Sequence, residues 1–128
     1  MLSTRTHNKL TITLGTLVAT LVVLSGWLLW SYECLQLEAA FASEQIEIFE
    51  EMRTRALQSD VAGAAGCLQY AVTYYPSGTK QRAGSWLDQM VERERARVAR
   101  EIVAYLRAQP GQDLGESPEA WIRKYAGR

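Results

Sequence analysis

The chain has 128 residues, with 14 Lys and Arg against 14 Asp and Glu, so its formal net charge is zero. That length excludes more than one small domain beside an anchor, and two cysteines allow at most one internal disulfide. The zero hides an uneven order: residues 1–30 carry +2, residues 31–60 carry −5, residues 61–110 carry +3, and the last eighteen balance.

Residues 1–9 form a short polar tail holding the one histidine, His7, with no Cys, Asp or Glu beside it to complete a metal site. From Leu10 to Trp30 no residue is charged. As a helix this stretch is about 30 Å long, the thickness of a bilayer core, which predicts a transmembrane helix and makes the lipid bilayer the first expected partner. Arg5 and Lys9 before the span and acids after it predict a cytoplasmic N-terminus and a domain at 31–128 outside the cytoplasm, with a bacterial inner membrane as the expected location. Trp27, Trp30 and Tyr32 fit an aromatic belt where the helix leaves the bilayer. A signal anchor competes with late cleavage near Ala42, since Ala40-Phe41-Ala42 has the small-x-small form of a cleavage site. That site, however, lies well beyond the apolar run, with Glu33 and Glu38 between. Thr11, Gly15, Ala19 and Gly26 share one side of the span within about 80°, a candidate helix-pairing face for self-association.

Beyond the span the expected fold class is all-α, the transmembrane helix continuing into a small extramembrane bundle with helices at about 31–58, 60–75, 80–108 and 118–126. In the first, Cys34, Leu37, Phe41, Ile48 and Met52 fall in an arc of about 60°, interrupted at Gln45, while Glu44, Glu47, Glu50 and Glu51 point elsewhere. Asp60 is the expected N-cap of the second, whose Gly63, Ala64, Ala65 and Gly66 permit close packing. Its tyrosines leave two readings open, a core helix or a partner face. Pro76-Ser77-Gly78 turns the chain, and the third helix starts at Thr79 or at Ser85, where Ser85 and Asp88 resemble a capping box. Leu87, Val91, Val98, Ile102 and Tyr105 form its apolar stripe, and Arg93, Arg97, Arg100 and Arg107 gather on another face. Like charges so spaced repel, so the arginines call for acids, which the first extramembrane helix can supply in an antiparallel pairing. Ser117-Pro118-Glu119 begins a last short helix whose Trp121, Ile122 and Tyr125 lid the bundle.

Chemical motifs are thin. Ser77-Gly78-Thr79-Lys80 has the Ser-x-x-Lys form of a nucleophile and its base, without the companion elements of penicillin-recognising enzymes, and it lacks the glycine spacing of a phosphate loop. No His, Cys and carboxylate cluster has metal spacing, so no catalytic residue, metal or cofactor is expected. Cys34 and Cys67 read as small buried apolar residues, with a bridge between subunits through Cys34 as the alternative.

The tract Tyr74-Tyr75-Pro76-Ser77-Gly78-Thr79-Lys80-Gln81, with Gly84-Ser85, Leu87-Asp88, Val91-Glu92-Arg93, Gly111-Gln112-Asp113-Leu114-Gly115, Pro118-Glu119 and Trp121-Ile122, resembles a group of short, uncharacterised, single-span bacterial membrane proteins. The likeness covers roughly Tyr70 to Tyr125, and the closing Gly-x-Asp-x-Gly-x-x-Pro-x-x-Trp pattern is similar to the ends of some helical-repeat modules. It implies an all-helical domain and brings no activity or site residue.

The expected function is therefore a single-pass, membrane-anchored interaction or scaffold protein and not an enzyme. It would self-associate or hold a membrane or envelope protein, and nucleic acid is not expected outside the cytoplasm. The alternative is an envelope ligand-binding module whose face combines Arg93, Arg97 and Arg100 with Tyr70, Tyr74, Tyr75 and Trp86.

Overall fold

The computed structural model describes residues 2–127, with side chains from Thr6 onward. It holds four helices and, among the described residues, no strand: α1 (Leu2–Leu57), α2 (Val61–Thr73), α3 (Trp86–Ala108) and α4 (Pro118–Trp121), the last running into a looser π-helical turn, Ile122–Ala126. The chain divides into two compact units, Met1–Leu37 and Glu38–Arg128.

The first unit is the N-terminal part of α1, and the tail expected at 1–9 is helical from Leu2. Every described side chain from Thr6 to Leu37 is exposed, including Leu10, Leu17, Val23, Trp27 and Trp30. Among the described residues, α1 is the one helix long and apolar enough to cross a membrane. Threonines in this stretch turn their hydroxyls onto their own helix: Thr11 donates to the His7 carbonyl at 2.9 Å, Thr13 to Lys9 at 2.8 Å and Thr20 to Thr16 at 2.8 Å. A hydroxyl satisfied in this way asks nothing of its solvent, which suits a helix in hydrocarbon.

The second unit is built around Phe49, Leu68, Val91, Val98, Ile102, Leu106 and Trp121, all buried. Two short reversals make α2 antiparallel to both of its neighbours. The first is closed by Asp60, whose carboxylate accepts from Gly63 N at 2.8 Å. The antiparallel pairing expected of the first and third helices is therefore wrong. Glu50 meets Arg97, Arg53 meets Glu101, and the Ser59 carbonyl accepts from Tyr105 at 2.7 Å, so α1 and α3 run in the same direction. Two reversals restore the starting direction, and the expected charge pairing survives the change.

Three further differences concern α1 and α3. The covered stripe of α1 is Ala42, Gln45, Phe49, Met52 and Ala56, turned by roughly 60° from the expected one. Cys34 and Leu37 lie in the first unit and are exposed, so they never belonged to the stripe that the bundle covers. Helix α3 begins at Trp86 and not near position 80, because Ser85 caps it, accepting from Asp88 N at 3.2 Å.

The C-terminal segment closes the bundle as its sequence suggests. Trp121 is 2% exposed, stacks at 6.0 Å on Tyr125, and donates from Nε1 to the Gly115 carbonyl at 2.9 Å. That bond satisfies the one polar atom the indole takes into the core.

Candidate functional site

Two polar centres hold the bundle together, and the candidate residues are distributed around them. The first is Arg95, on the buried side of α3 between Val91 and Val98. Helix α2 ends at Thr73 and exposes its last carbonyls to the core, where they lack intrahelical partners. Arg95 reaches them: Nη1 donates to Ala71 O at 2.7 Å, Val72 O at 3.3 Å and Tyr74 O at 2.7 Å, and Nη2 donates to Tyr75 O at 2.7 Å. The guanidinium also bonds Glu92 at 3.2 Å and lies 4.8 Å from the centre of the Phe49 ring. A cation at a helix C-terminus is favoured by the helix dipole as well as by these bonds. Tyr75, at φ +40, takes the left-handed conformation that usually falls to glycine, and its carbonyl is held by Arg95 and, at 3.3 Å, by Gln45. Gln45 in turn accepts from Gln81 at 2.8 Å, so the polar gap in the α1 stripe is a satisfied buried pair.

The second centre is Asp88, 3% exposed. Its carboxylate accepts from Ser77 Oγ at 2.6 Å, Gly84 N at 2.9 Å and Gly78 N at 3.1 Å, gathering the 76–85 turn onto the start of α3. Gly78 sits at φ +80, and a Cβ there would stand 3.0 Å from that of Ala83, so both conformation and space require glycine. The Ser77 hydroxyl, foremost among these donors, holds the Asp88 carboxyl below its ordinary range. The native pKa thus lies under the unfolded one, and the stabilisation is present above the unfolded value near 4 and lost as pH falls through the native one. Asp88→Asn is expected to destabilise the bundle by about 1–3 kcal/mol at pH 7, with the deficit shrinking below about pH 4. Urea unfolding of the full chain in detergent, followed by tryptophan fluorescence at both pH values, measures this.

The arginine face splits. Arg97 is drawn into a seam with Glu50 of α1, Glu94 at 2.9 Å and Glu101 at 2.7 Å, and Arg53 joins it through Glu101 and, at 3.3 Å, Glu50. The Glu94, Glu50 and Glu101 carboxylates raise the Arg97 pKa, and Arg53 with Arg97 lowers that of Glu101. Arg93 is exposed and donates only to its own helix, at the Gln89 carbonyl, and Arg100 is exposed with no polar partner among the described residues. Arg107 pairs instead with Asp113 at 3.1 Å and Glu116 at 3.3 Å. Arg100, Arg107, Val103, Ala104 and Glu116 line an open groove of about 400 Å³. Arg97→Ala is expected to cost up to about 1 kcal/mol, less at high salt, whereas Arg93→Glu and Arg100→Glu stay within about 0.5 kcal/mol. The same unfolding measurement at two salt concentrations separates them.

Tyr70 and Tyr74 stack at 5.2 Å, and Tyr74 meets Tyr75 edge-on at 4.6 Å. Tyr74 is half-buried, its hydroxyl pKa raised mainly by that burial, while Tyr70 and Tyr75 are exposed. No hydrogen bond or ring contact joins these tyrosines to Arg93, Arg97 or Arg100 among the described residues. Gly15 and Gly26 have open space where a Cβ would stand, and Ala19 is exposed beside them. Cys34 is exposed, contrary to its reading as a buried residue, and Cys67 is buried, which raises its thiol pKa; both are free. Lys80, the other half of the Ser-x-x-Lys pattern, places its ammonium 4.3 Å from the centres of both the Phe41 and Tyr75 rings. Among the described residues no group of three or more His, Cys, Asp or Glu side chains could hold a metal ion.

Sequence reading missed Arg95 and assigned Asp88 only to a cap. The signal for Arg95 was its place at i+4 from Val91 and i−3 from Val98, a core position occupied by a long cation.

These features define a class of architecture, one long apolar N-terminal helix followed by a small helical bundle. Comparison with protein-family models, curated proteins and solved structures gives no match for this chain. The resemblance of the Tyr70–Tyr125 tract to short single-span bacterial proteins gains no support from those comparisons.

Proposed function

We propose that the protein is a single-pass membrane-anchored interaction or scaffold protein, its N-terminus in the cytoplasm and its bundle outside, in a bacterial inner membrane. The observation that carries this reading is the fully exposed, uncharged stretch Leu10–Trp30, whose threonine hydroxyls are bonded to carbonyls of their own helix. Arg5 and Lys9 ahead of it support the orientation. An interaction role is favoured over catalysis because the side chains with chemical potential are engaged in packing: Ser77 donates to Asp88, Lys80 lies against two rings, and Arg95 caps α2.

The open face at Gly15, Ala19 and Gly26 suits pairing of two spans. Sedimentation of the detergent-solubilised chain tests it. A dimer that becomes monomeric on the Gly15→Leu/Gly26→Leu double substitution supports self-association through this face. A monomer in both forms, recovered from membranes without any stoichiometric protein partner, contradicts the scaffold reading. A ligand-binding role for Arg93 and Arg100 is the second reading, favoured by their lack of acidic partners, with the stacked Tyr70 and Tyr74 as the aromatic residues of that reading. Binding of anionic polymer that is lost in Arg93→Glu/Arg100→Glu, with unfolding unchanged, supports it; binding unaffected by that change removes it.

A further inference from the structure

The turn between α2 and α3 has chemistry that packing alone does not account for. Residues 76–86 carry Lys80 and Arg82 and no acid. The Arg82 side chain is 84% exposed, with one loose ionic contact, to Glu38 at 3.9 Å. Trp86, in the first turn of α3, is 68% exposed, whereas Trp121 of the same unit is wholly covered. An exposed indole at the end of a turn that carries an exposed, loosely paired arginine is the composition of a bilayer interface, where tryptophan prefers the headgroup layer and basic side chains meet lipid phosphates.

The position of the turn within the bundle matters as much. Lys80 lies against Phe41, Arg82 reaches Glu38, and Gln81 bonds Gln45, so three successive side chains are fastened to Glu38–Gln45, the first turns of α1 within this unit. Glu38 stands eight residues beyond Trp30. Even fully extended, eight residues reach at most about 28 Å, so the chain itself limits how far Glu38 can stand from a bilayer that the Leu10–Trp30 stretch crosses.

We propose that this turn is a second membrane contact, in which Arg82 binds the anionic headgroup layer and Trp86 inserts at the interface. The proposal rests on the reading that α1 spans the bilayer. Of the two acids that contact the turn, neither gives Arg82 a close partner. Glu38 is only loosely paired with Arg82, and the Asp88 carboxylate is buried and occupied by Ser77, Gly78 and Gly84.

Full-length chain in nanodiscs whose lipids are brominated high in the acyl chain tests both readings separately. The Trp86→Phe variant reports on Trp27 and Trp30, and the Trp27→Phe/Trp30→Phe variant reports on Trp86 against the buried Trp121. In phosphatidylglycerol discs the second variant is expected to lose roughly half of its Trp86 emission, and much less in phosphatidylcholine discs or with Arg82→Glu added. Quenching of Trp27 and Trp30 with Trp86 emission unchanged overturns the proposal and leaves the span intact. Equal Trp86 quenching in both lipids, insensitive to Arg82→Glu, overturns the headgroup contact. Absence of quenching at Trp27 and Trp30 overturns the span and this contact with it.

Discussion

Arg95→Ala is expected to lower the stability of the bundle by about 3–5 kcal/mol, which is most of what a domain of this size possesses. The magnitude follows from what the substitution strands. Four backbone carbonyls, at Ala71, Val72, Tyr74 and Tyr75, accept from one guanidinium, the last of them shared with Gln45. Removing it leaves buried acceptors unpaired at a helix C-terminus, and it opens a cavity beside Phe49. Arg95→Met isolates the polar part, because it restores much of the volume without a donor, and it is expected to remain at least about 2 kcal/mol worse than the native chain. Arg95→Lys keeps the charge, but a single ammonium cannot serve carbonyls spread over five residues, so it falls between the two. Urea unfolding of the three variants in detergent, followed through the near-ultraviolet signal of the bundle, ranks them. A Met variant as stable as the native chain contradicts the capping role.

Trp121→Ala is expected to cost about 3–5 kcal/mol as well, by a different route. The indole is buried in the cluster shared by α1, α2 and α3, and its Nε1 bond to Gly115 fixes the 109–117 loop beneath α4. Its loss frees the C-terminal segment and uncovers the core residues it lids. Hydrogen exchange distinguishes this from the Arg95 variants: protection is lost first at 114–126, whereas Arg95→Ala loosens the end of α2. Trp121→Phe keeps most of the buried area and loses only the Gly115 bond, so about 1–2 kcal/mol is expected.

Much of the fold could be read from residues with local consequences. The Ser85 and Asp60 caps act within three positions, and their hydrogen bonds are visible in sequence spacing, while Pro118 at the first position marks the start of α4 although Ser117 makes no capping bond there. Helix direction and stripe phase were harder. The parallel course of α1 and α3 depends on counting reversals, not on charge complementarity, which either direction satisfies. The phase of the α1 stripe was misplaced because Cys34 and Leu37 are as apolar as Phe49, and nothing in the residue types marks where the bundle begins to cover the helix.

The candidate site was legible in part. Arg97 found the acids its spacing called for, sharing its side of α3 with Glu101 and Tyr105, which also meet α1, whereas Arg93 and Arg100 are exposed and found none. Arg95 went unrecognised since its purpose lies in the carbonyls at the end of α2, more than twenty residues away in sequence. A buried arginine declares itself only when the helix end that needs it is in place.

The proposed topology runs α1 through a bilayer, with the basic N-terminus inside and the bundle outside. Labelling of intact cells with a membrane-impermeant maleimide tests it at two positions, the exposed Cys34 of the native chain and a Ser3→Cys site placed in a Cys34→Ser background. The predicted result is reaction at Cys34 in intact cells and reaction at position 3 only after permeabilisation. Labelling of position 3 from outside, with Cys34 protected, would contradict it.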